Sequence, residues 1–427
     1  MKIGELYQIF LQHPVICTDT RNIQKDSLFF CLKGDSFNGN IFALQALENG
    51  ASFVIVDEKQ ATEDNRIILV DDVLKTLQDL ATIHRNHVKV PVIGITGSNG
   101  KTTTKELVLE VLSKKYKVFA THGNFNNHIG VPLSVLQINS DTEIAIIEMG
   151  ANHIGEIESL CKISQPNFGL ITNIGKAHLE GFGSFENVIE AKSELYKYLE
   201  QHQGMVFMNN NNPILKTQAA NLEQFTYGTN QNSNIHVTFI VANPYVKLYW
   251  ENKKTIIESK LIGKYNFENL LSAIAIGEYF DVETSLIKEA IENYVAKNSR
   301  SQFVEKKGNT IILDAYNANP TSMMAALENF NLMKSVNKIV MLGDMLELGD
   351  YKDMEHEKII EFLVESNYQK VFLVGNIFSK INKHTDFLTF QTSNDLRSHL
   401  ETEPQKHALI LVKGSRGIKM EQVLEAL

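Results

Sequence analysis

The segment Gly94–Glu106 reads GITGSNGKTTTKE. A buried, strand-like run feeds a glycine-rich turn, and a helix is predicted to begin at the threonines. Glycines let backbone N–H groups close around phosphate oxygens, and a helix N-terminus adds positive potential. Gly97, Ser98, Asn99, Gly100, Lys101, Thr102 and Thr103 are therefore candidate nucleotide-binding residues. Lys101 has the reach to meet the terminal phosphates of ATP, and the Thr102 hydroxyl suits Mg²⁺. The spacing departs from the strict Walker pattern, because Ile95 stands where that pattern has its first glycine. The plain alternative is a glycine-rich turn with no ligand; the strand before it and the helix after it argue against that.

Two further residues are predicted to converge on this loop. Glu148 ends the run EIAIIE, and His178 follows LITNIG by a short loop. In a parallel sheet such loops emerge at the carboxyl ends of the strands, where ligands bind. A carboxylate and an imidazole beside ATP suit Mg²⁺ or Mn²⁺. Taken alone, each is an ordinary loop residue.

Lys192 is the odd residue of FENVIEAKSELYKYLE, residues 185–200. At helical spacing Phe185, Val188, Ile189, Leu195, Tyr196 and Leu199 share one face. Glu186, Asn187, Glu190, Ser193, Glu194, Lys197 and Glu200 take the other, and Lys192 falls inside the apolar stripe. A buried lysine has its charged form disfavoured, so its pKa falls and the neutral amine can add CO₂. A lysine snorkelling from the stripe's edge fits the wheel equally well.

These residues need elements to hold them. SLFFCL, FVIV and IILV read as strands, IFALQALENG as a helix ending at Gly50, and Asp72–His87 as a helix leading to a boundary near Pro91. The continuous apolar runs PVIGIT, EIAIIEMG and FGLITNIG fit parallel strands covered on both faces. After residue 300 the pattern restarts with TIILDAY, KIVMLGD, KVFLVGN and ALILVKG. The prediction is an α/β protein of three domains, 1–88, 89–298 and 299–427, with a mostly parallel central sheet. A chain of 427 residues agrees with several domains.

Composition narrows the class. Hydrophobic residues make up 43%, charged residues 21%, and the net charge is −9. This suits a soluble globular protein and gives no sign of a nucleic-acid surface. Cys17, Cys31 and Cys161 are few and odd in number, as expected in a reducing compartment without a disulfide framework. No run of 18 apolar residues occurs, and MKIGELYQIFLQHPV has no signal-peptide pattern. A cytoplasmic protein with no membrane insertion is expected.

Ordered motifs along nearly the whole chain resemble the Mur ligases. They include TDTRNIQKDSLFFCLKGDSFNGN, GITGSNGKTTTKE, GNFNNHIGVP, IIEMGA, NIGKAHLEGFGS, AKSEL, GKYNFENLLSAIA, DAYNANPTSM, LGDMLELG and KGSRGIKME. Within the family the match is to the branch that joins D-Ala-D-Ala to UDP-N-acetylmuramoyl-tripeptide for peptidoglycan synthesis. The resemblance implies a UDP-binding first domain, a central ATPase domain and a Rossmann-like third domain that helps bind the incoming amino component. It implies ATP, two Mg²⁺ ions and an acyl phosphate intermediate; a monomer is expected, though the sequence itself leaves oligomeric state open.

Carried over residue by residue, Lys101 binds phosphates, and Thr102, Glu148 and His178 belong to the metal site. Lys192 matches a lysine carried as a CO₂-derived carbamate that helps bind the second Mg²⁺. Asn127 matches an Asn at the nucleotide and metal site, and Asn269 one near the adenine. Arg300 and Asp314 match nucleotide contacts at the third-domain junction. Thr18, Asp19, Arg21, Gly34, Phe37, Asn38 and Gly39 fall in the UDP-binding region, and Asn317 and Asn319 in a substrate-binding motif. Tyr265 departs from the family, many members having His there. Asn126 and Asn127 also read as simple turn residues.

Competing readings are another Mur-type amide ligase (the third-residue-adding enzyme or folylpolyglutamate synthase) and a non-catalytic nucleotide-binding module. GNFNNHIGVP and DAYNANPTSM favour the D-Ala-D-Ala branch, and the Asp-Asn-Pro-Arg motif typical of the third-residue enzyme is absent. Whether the tripeptide ends in diaminopimelate or lysine is left open.

Overall fold

The computed structural model describes residues 1–34, 36–297 and 299–427. Three main sheets follow one another along the chain. The first is parallel throughout, with strands Ile16–Cys17, Leu28–Phe30, Phe53–Val56 and Ile67–Leu69 side by side in that order. Helix Val73–His87, capped by the Asp72 side chain on the Lys75 N–H, closes this segment.

The central sheet has nine strands. The phosphate strand Val92–Thr96 lies between Ile144–Glu148 and Phe168–Ile171, both parallel to it, and Val118–Ala120 forms one edge. On the far side the parallel strands Met205–Asn209, Glu223–Gly228 and Ile235–Ala242 continue the sheet. Tyr245–Trp250 and Thr255–Ile262 complete it as an antiparallel extension that the sequence reading had not drawn. Its strands alternate buried and exposed residues, because only one face is covered.

The third sheet runs Gln302–Lys306, Asn309–Asp314, Leu409–Lys413, Lys338–Gly343, Lys370–Val374 and Phe387–Phe390. All neighbours are parallel except the first pair. The four expected strands form its centre, and both edge strands are additional. The expected boundary at residue 298 falls on a position outside the described residues.

Helix Phe185–Gln201 carries Lys192. Its first turn is capped by Ser184, whose side chain accepts from the Asn187 N–H at 3.2 Å. It lies tight against the sheet at Gly169, where an added Cβ would stand 2.3 Å from a Leu199 methyl. Its burial is wider than the wheel implied. Ser193 and Glu194 are buried, whereas Glu186, Glu190, Lys197 and Glu200 are exposed as expected. The reason is helix Glu156–Ser164. Glu194 accepts from the Gly155 and Glu158 N–H groups at 2.5 and 2.9 Å, capping that helix and neutralising its otherwise orphaned donors.

Candidate functional site

A cleft of about 1360 Å³ opens where the three segments meet, lined from the first by helix Val73–His87, from the second by the phosphate loop, and from the third by the start of helix Pro320–Leu332.

The phosphate loop has the shape its glycines require. Gly97 and Gly100 sit at φ 138° and 80°, where side chains are strained. A Cβ on Gly97 would fall 2.1 Å from the Thr172 hydroxyl, and one on Gly100 2.6 Å from Asn269. The helix begins at Lys101, one residue before the threonines. The loop is strapped to the neighbouring strand end: Asn99 N–H donates to the Asn173 side chain at 3.0 Å, and the Thr172 hydroxyl donates to the Asn99 carbonyl at 2.6 Å. Ser98 donates to the Gly175 carbonyl at 3.0 Å. Thr103 is buried and lines the cleft beside these residues. Thr172 and Asn173 were not singled out from sequence, though both lie in the LITNIG run that pointed to His178.

Lys101 folds back on its own loop, donating to the Gly97 and Ser98 carbonyls at 2.7 and 3.3 Å. Burial holds its amine below the usual lysine range, against the pull of Glu148.

Glu148 faces the loop because strand register pairs it with Ile95. It is 1% exposed. One oxygen accepts from the Thr102 hydroxyl at 3.1 Å and from the Asn126 amide at 2.8 Å. The other has no hydrogen-bond donor; its nearest cation is the buried Lys105, at 3.7 Å. A buried carboxylate oxygen with a free lone pair beside a threonine hydroxyl fits a divalent cation. Among the described residues no three His, Cys, Asp or Glu side chains gather as a metal site. The expected set draws instead on a hydroxyl and a lysine.

Asn126 and Asn127 make different local contacts. Asn127 accepts from the Ile129 and Gly130 N–H groups at 3.1 and 2.9 Å, turning the chain into helix Gly130–Val135. It lines the cleft, but Asn126 is the amide bonded to Glu148.

His178 lines the same cleft as Thr102, and its Nδ1 contacts Glu347 from the third domain. The imidazole holds the Glu347 carboxyl below its usual range.

Lys192 is 1% exposed, just behind the cleft wall. Its Nζ donates to the Ala151 carbonyl at 3.0 Å and stands 5.1 Å from the centre of the Phe182 ring. Burial, then the charge of Lys101, lowers its pKa to about 7. The amine is therefore about half neutral near pH 7.

The third-domain junction is held by paired polar groups. Lys413 meets its cross-strand partner Asp314 at 2.5 Å, and Asp314 also accepts from the Ser301 N–H at 3.0 Å. The Arg300 guanidinium stacks 3.7 Å over the Tyr316 ring. Asn319 caps helix Pro320–Leu332 and donates to the Asn99 side chain at 2.8 Å, so the third domain touches the phosphate loop directly. Asn317 binds the following N–H, and the hydroxyls of Tyr265 and Ser301 lie 2.7 Å apart. Asn269 accepts from the Thr104 hydroxyl at 3.2 Å.

The residues expected to bind UDP are not part of this cleft's lining. Thr18, Asp19 and Arg21 follow the first strand, and Gly34, Phe37, Asn38 and Gly39 follow the second, at the carboxyl edge of the first sheet. Asp19 and Arg21 pair with each other at 2.6 Å, and Asn38 bonds Glu58 at 3.2 Å. Gly34 and Phe37 form a short antiparallel pair. Gly39 is buried where a Cβ would fall 2.5 Å from the Leu32 carbonyl oxygen.

Three family models match the chain in order. "Mur ligase family, catalytic domain" covers residues 14–91, "Mur ligase middle domain" 95–277, and "Mur ligase, glutamate ligase domain" 299–416. The chain is 35% identical to a UDP-N-acetylmuramoyl-tripeptide–D-alanyl-D-alanine ligase of Bacillus subtilis, over 96% of this chain and 92% of that one. It is 32% identical to the ligase of the same name from Escherichia coli, over 99% and 96%. Among solved structures, MurF from Acinetobacter baumannii superposes with a TM-score of 0.86 at 30% identity, covering 96% of this chain and 92% of that one. MurF ligase from Thermotoga maritima, in complex with ADP, gives 0.86 at 27%, covering 97% of each.

Proposed function

The chain belongs to the Mur ligase family, and we propose that it is an ATP-dependent ligase joining D-Ala-D-Ala to UDP-N-acetylmuramoyl-tripeptide, for peptidoglycan synthesis. The observation that carries this reading is one cleft in which the phosphate loop, buried Glu148 and the third domain's Asn319 meet. The full-length likeness to ligases of that name supports the choice of substrates.

A carboxylate is a poor electrophile with a poor leaving group. Its oxygen attacks the γ-phosphorus of ATP, ADP leaves, and the acyl phosphate cures both defects. The dipeptide amine then attacks the acyl carbon, gives up a proton and expels phosphate. The protein's task is to hold anionic partners together and offset their charge. Lys101 exchanges its two loop carbonyls for phosphate oxygens. The loop N–H groups and helix N-terminus face the same phosphates. Asn269, Arg300 and Asp314 are placed to hold the rest of the nucleotide.

Thr102 and Glu148 would hold one Mg²⁺, and His178 with a carbamylated Lys192 a second. Mg²⁺ held by these residues would offset phosphate charge. The neutral Lys192 amine adds CO₂ and releases a proton, leaving a carbamate. Asn126, through Glu148, keeps the carboxylate aimed at Thr102, and Asn127 shapes the turn that places Asn126.

The three functional units are residues 1–88 for the UDP end, 89–298 for ATP, and 299–427 for the incoming amino component through Asn317 and Asn319. Contacts of the third unit with the phosphate loop keep water from the acyl phosphate. Among the described residues no helix is long and apolar enough to cross a membrane. We place the enzyme in the cytoplasm as a monomer.

The test is phosphate release, which should require Mg²⁺, ATP, UDP-muramoyl-tripeptide and D-Ala-D-Ala together. Equal turnover with D-Glu or a diamino acid in place of the dipeptide would move the chain to another ligase of the family. No turnover with any amine would leave a nucleotide-binding module.

A further inference from the structure

A loop of the third domain, 344–351, reaches across to residues 178–183 of the central domain. The Glu347 carboxylate contacts Nδ1 of His178, and the Glu347 carbonyl accepts from the Glu180 N–H at 3.1 Å. The Tyr351 hydroxyl donates to the Gly183 carbonyl at 3.4 Å. The loop is built within its own domain. Met345 N–H donates to Nε2 of buried His356 at 2.9 Å, Leu346 N–H donates to the Ser415 hydroxyl at 2.9 Å, and Met345 and Leu348 are buried on either side. Glu347 is thus presented between anchors, at a left-handed φ of 62° that a non-glycine residue keeps only when its surroundings enforce it.

The receiving segment carries two groups of the site. His178 precedes the one-turn helix Leu179–Phe182, and the Phe182 ring covers Lys192 Nζ at 5.1 Å. Nδ1 of His178 is buried, while the side chain keeps 23% exposure and lines the cleft. Its exposed edge is therefore the one away from Nδ1. The Glu347 carboxylate lies at ion-pair distance from Nδ1, off the line of the ring N–H, and its negative charge there favours the tautomer with the proton on Nδ1, which leaves the Nε2 lone pair for the cleft.

We propose that Glu347 is a positioning residue for His178: docking of the third-domain loop sets the imidazole and, through the one-turn helix, the ring over Lys192. Domain closure and assembly of this side of the cleft are then one event. The significance of that event rests on the ligase reading; the coupling itself does not.

The control is a second interdomain ion pair, Lys176–Glu355 at 2.8 Å, which joins the same domains without touching His178. The ¹⁵N spectrum of the full chain, in alkaline buffer and assigned with His178→Gln, reads the tautomer directly. Wild type, Glu347→Gln and Glu355→Gln should show the proton on Nδ1, since a glutamine oxygen still accepts. Glu347→Ala should shift it towards Nε2 and speed amide exchange of residues 179–183 about tenfold or more, leaving residues 98–101 unchanged. Glu347→Ala should also raise the Mg²⁺ needed for half-maximal rate about 10-fold or more, with Glu347→Gln closer to wild type. A wild-type Nε2–H tautomer, or a Glu347→Ala spectrum and exchange pattern identical to wild type, overturns the proposal even if the enzyme ligates. The expected tautomer shift in a protein that releases no phosphate supports the coupling and overturns the ligase reading instead.

Discussion

Replacing Lys192 with methionine should stabilise the fold while abolishing ligation. The lysine is 1% exposed, and its amine is lowered from 10.5 to about 7, chiefly by burial. In the unfolded chain the amine returns to about 10.4. Between those values the unfolded state binds the extra proton, so wild-type stability rises with pH from about 7 to about 10 and is lowest below 7. A shift of about 3.5 units at 1.36 kcal/mol each sets the cost of keeping this lysine below neutral pH at up to about 5 kcal/mol. Methionine is of similar length, uncharged and adaptable in irregular space. It forfeits the 3.0 Å hydrogen bond to the Ala151 carbonyl. That loss, with the carbonyl left unpaired, costs about 1–3 kcal/mol. The net expectation is a gain of about 2 kcal/mol or more near pH 7, shrinking to nothing or reversing near pH 10. Thermal and denaturant unfolding of both proteins in CO₂-free buffers across that range measures it. Bicarbonate with Mg²⁺ should restore wild-type stability and leave the variant unchanged. A methionine variant that is less stable than wild type by the same margin at every pH would refute the depressed amine. One that ligates normally would remove the carbamate.

Lys192→Ala should lose most activity yet stay folded, and short carboxylates should partly restore turnover; Lys192→Arg should fail, because guanidinium stays charged and forms no carbamate. An active Lys192→Arg enzyme, with no carboxylate rescue of Lys192→Ala, would defeat that reading. Lys101→Ala should cost about 10²–10³ in rate with unchanged unfolding, since it removes one charge aimed at phosphate; near-normal ligation by the folded variant would mean the lysine is misassigned. Glu148→Ala and His178→Ala should each raise the Mg²⁺ requirement, and an unchanged Mg²⁺ titration in both would take them out of the site. Ser184→Ala should destabilise the central domain by about 1 kcal/mol through loss of the helix cap, read as a shift in denaturant midpoint without change in Mg²⁺ dependence.

The phosphate loop was legible in the sequence because it is local. Strand, glycine turn and helix are contiguous, and the positive φ of Gly97 and Gly100 is a demand of their own backbone; the close approach of Thr172 and Asn269 came only with the fold. The place of Lys192 in the apolar stripe was legible for a related reason, since helical period sets it among Val188, Leu195 and Leu199; that the amine is buried and does not snorkel to the edge was decided by the packing around it. The period did not reveal that Glu194 is buried too. That depends on a second helix arriving with unsatisfied N–H groups, and a wheel drawn for one helix contains no partner. Asn126 and Asn127 show the same limit at single-residue scale. Both are turn-forming amides, and only the path of the chain beside strand Ile144–Glu148 decides which one reaches Glu148 and which one caps Gly130. The antiparallel strands from Tyr245 to Ile262 offered too weak a pattern to be drawn. Glu347 lay furthest from view. Sequence placed His178 at a ligand-binding edge, but its Nδ1 partner comes from a loop of another domain. Contacts between domains are set by surface shape and charge after each core has formed, and no local period encodes them.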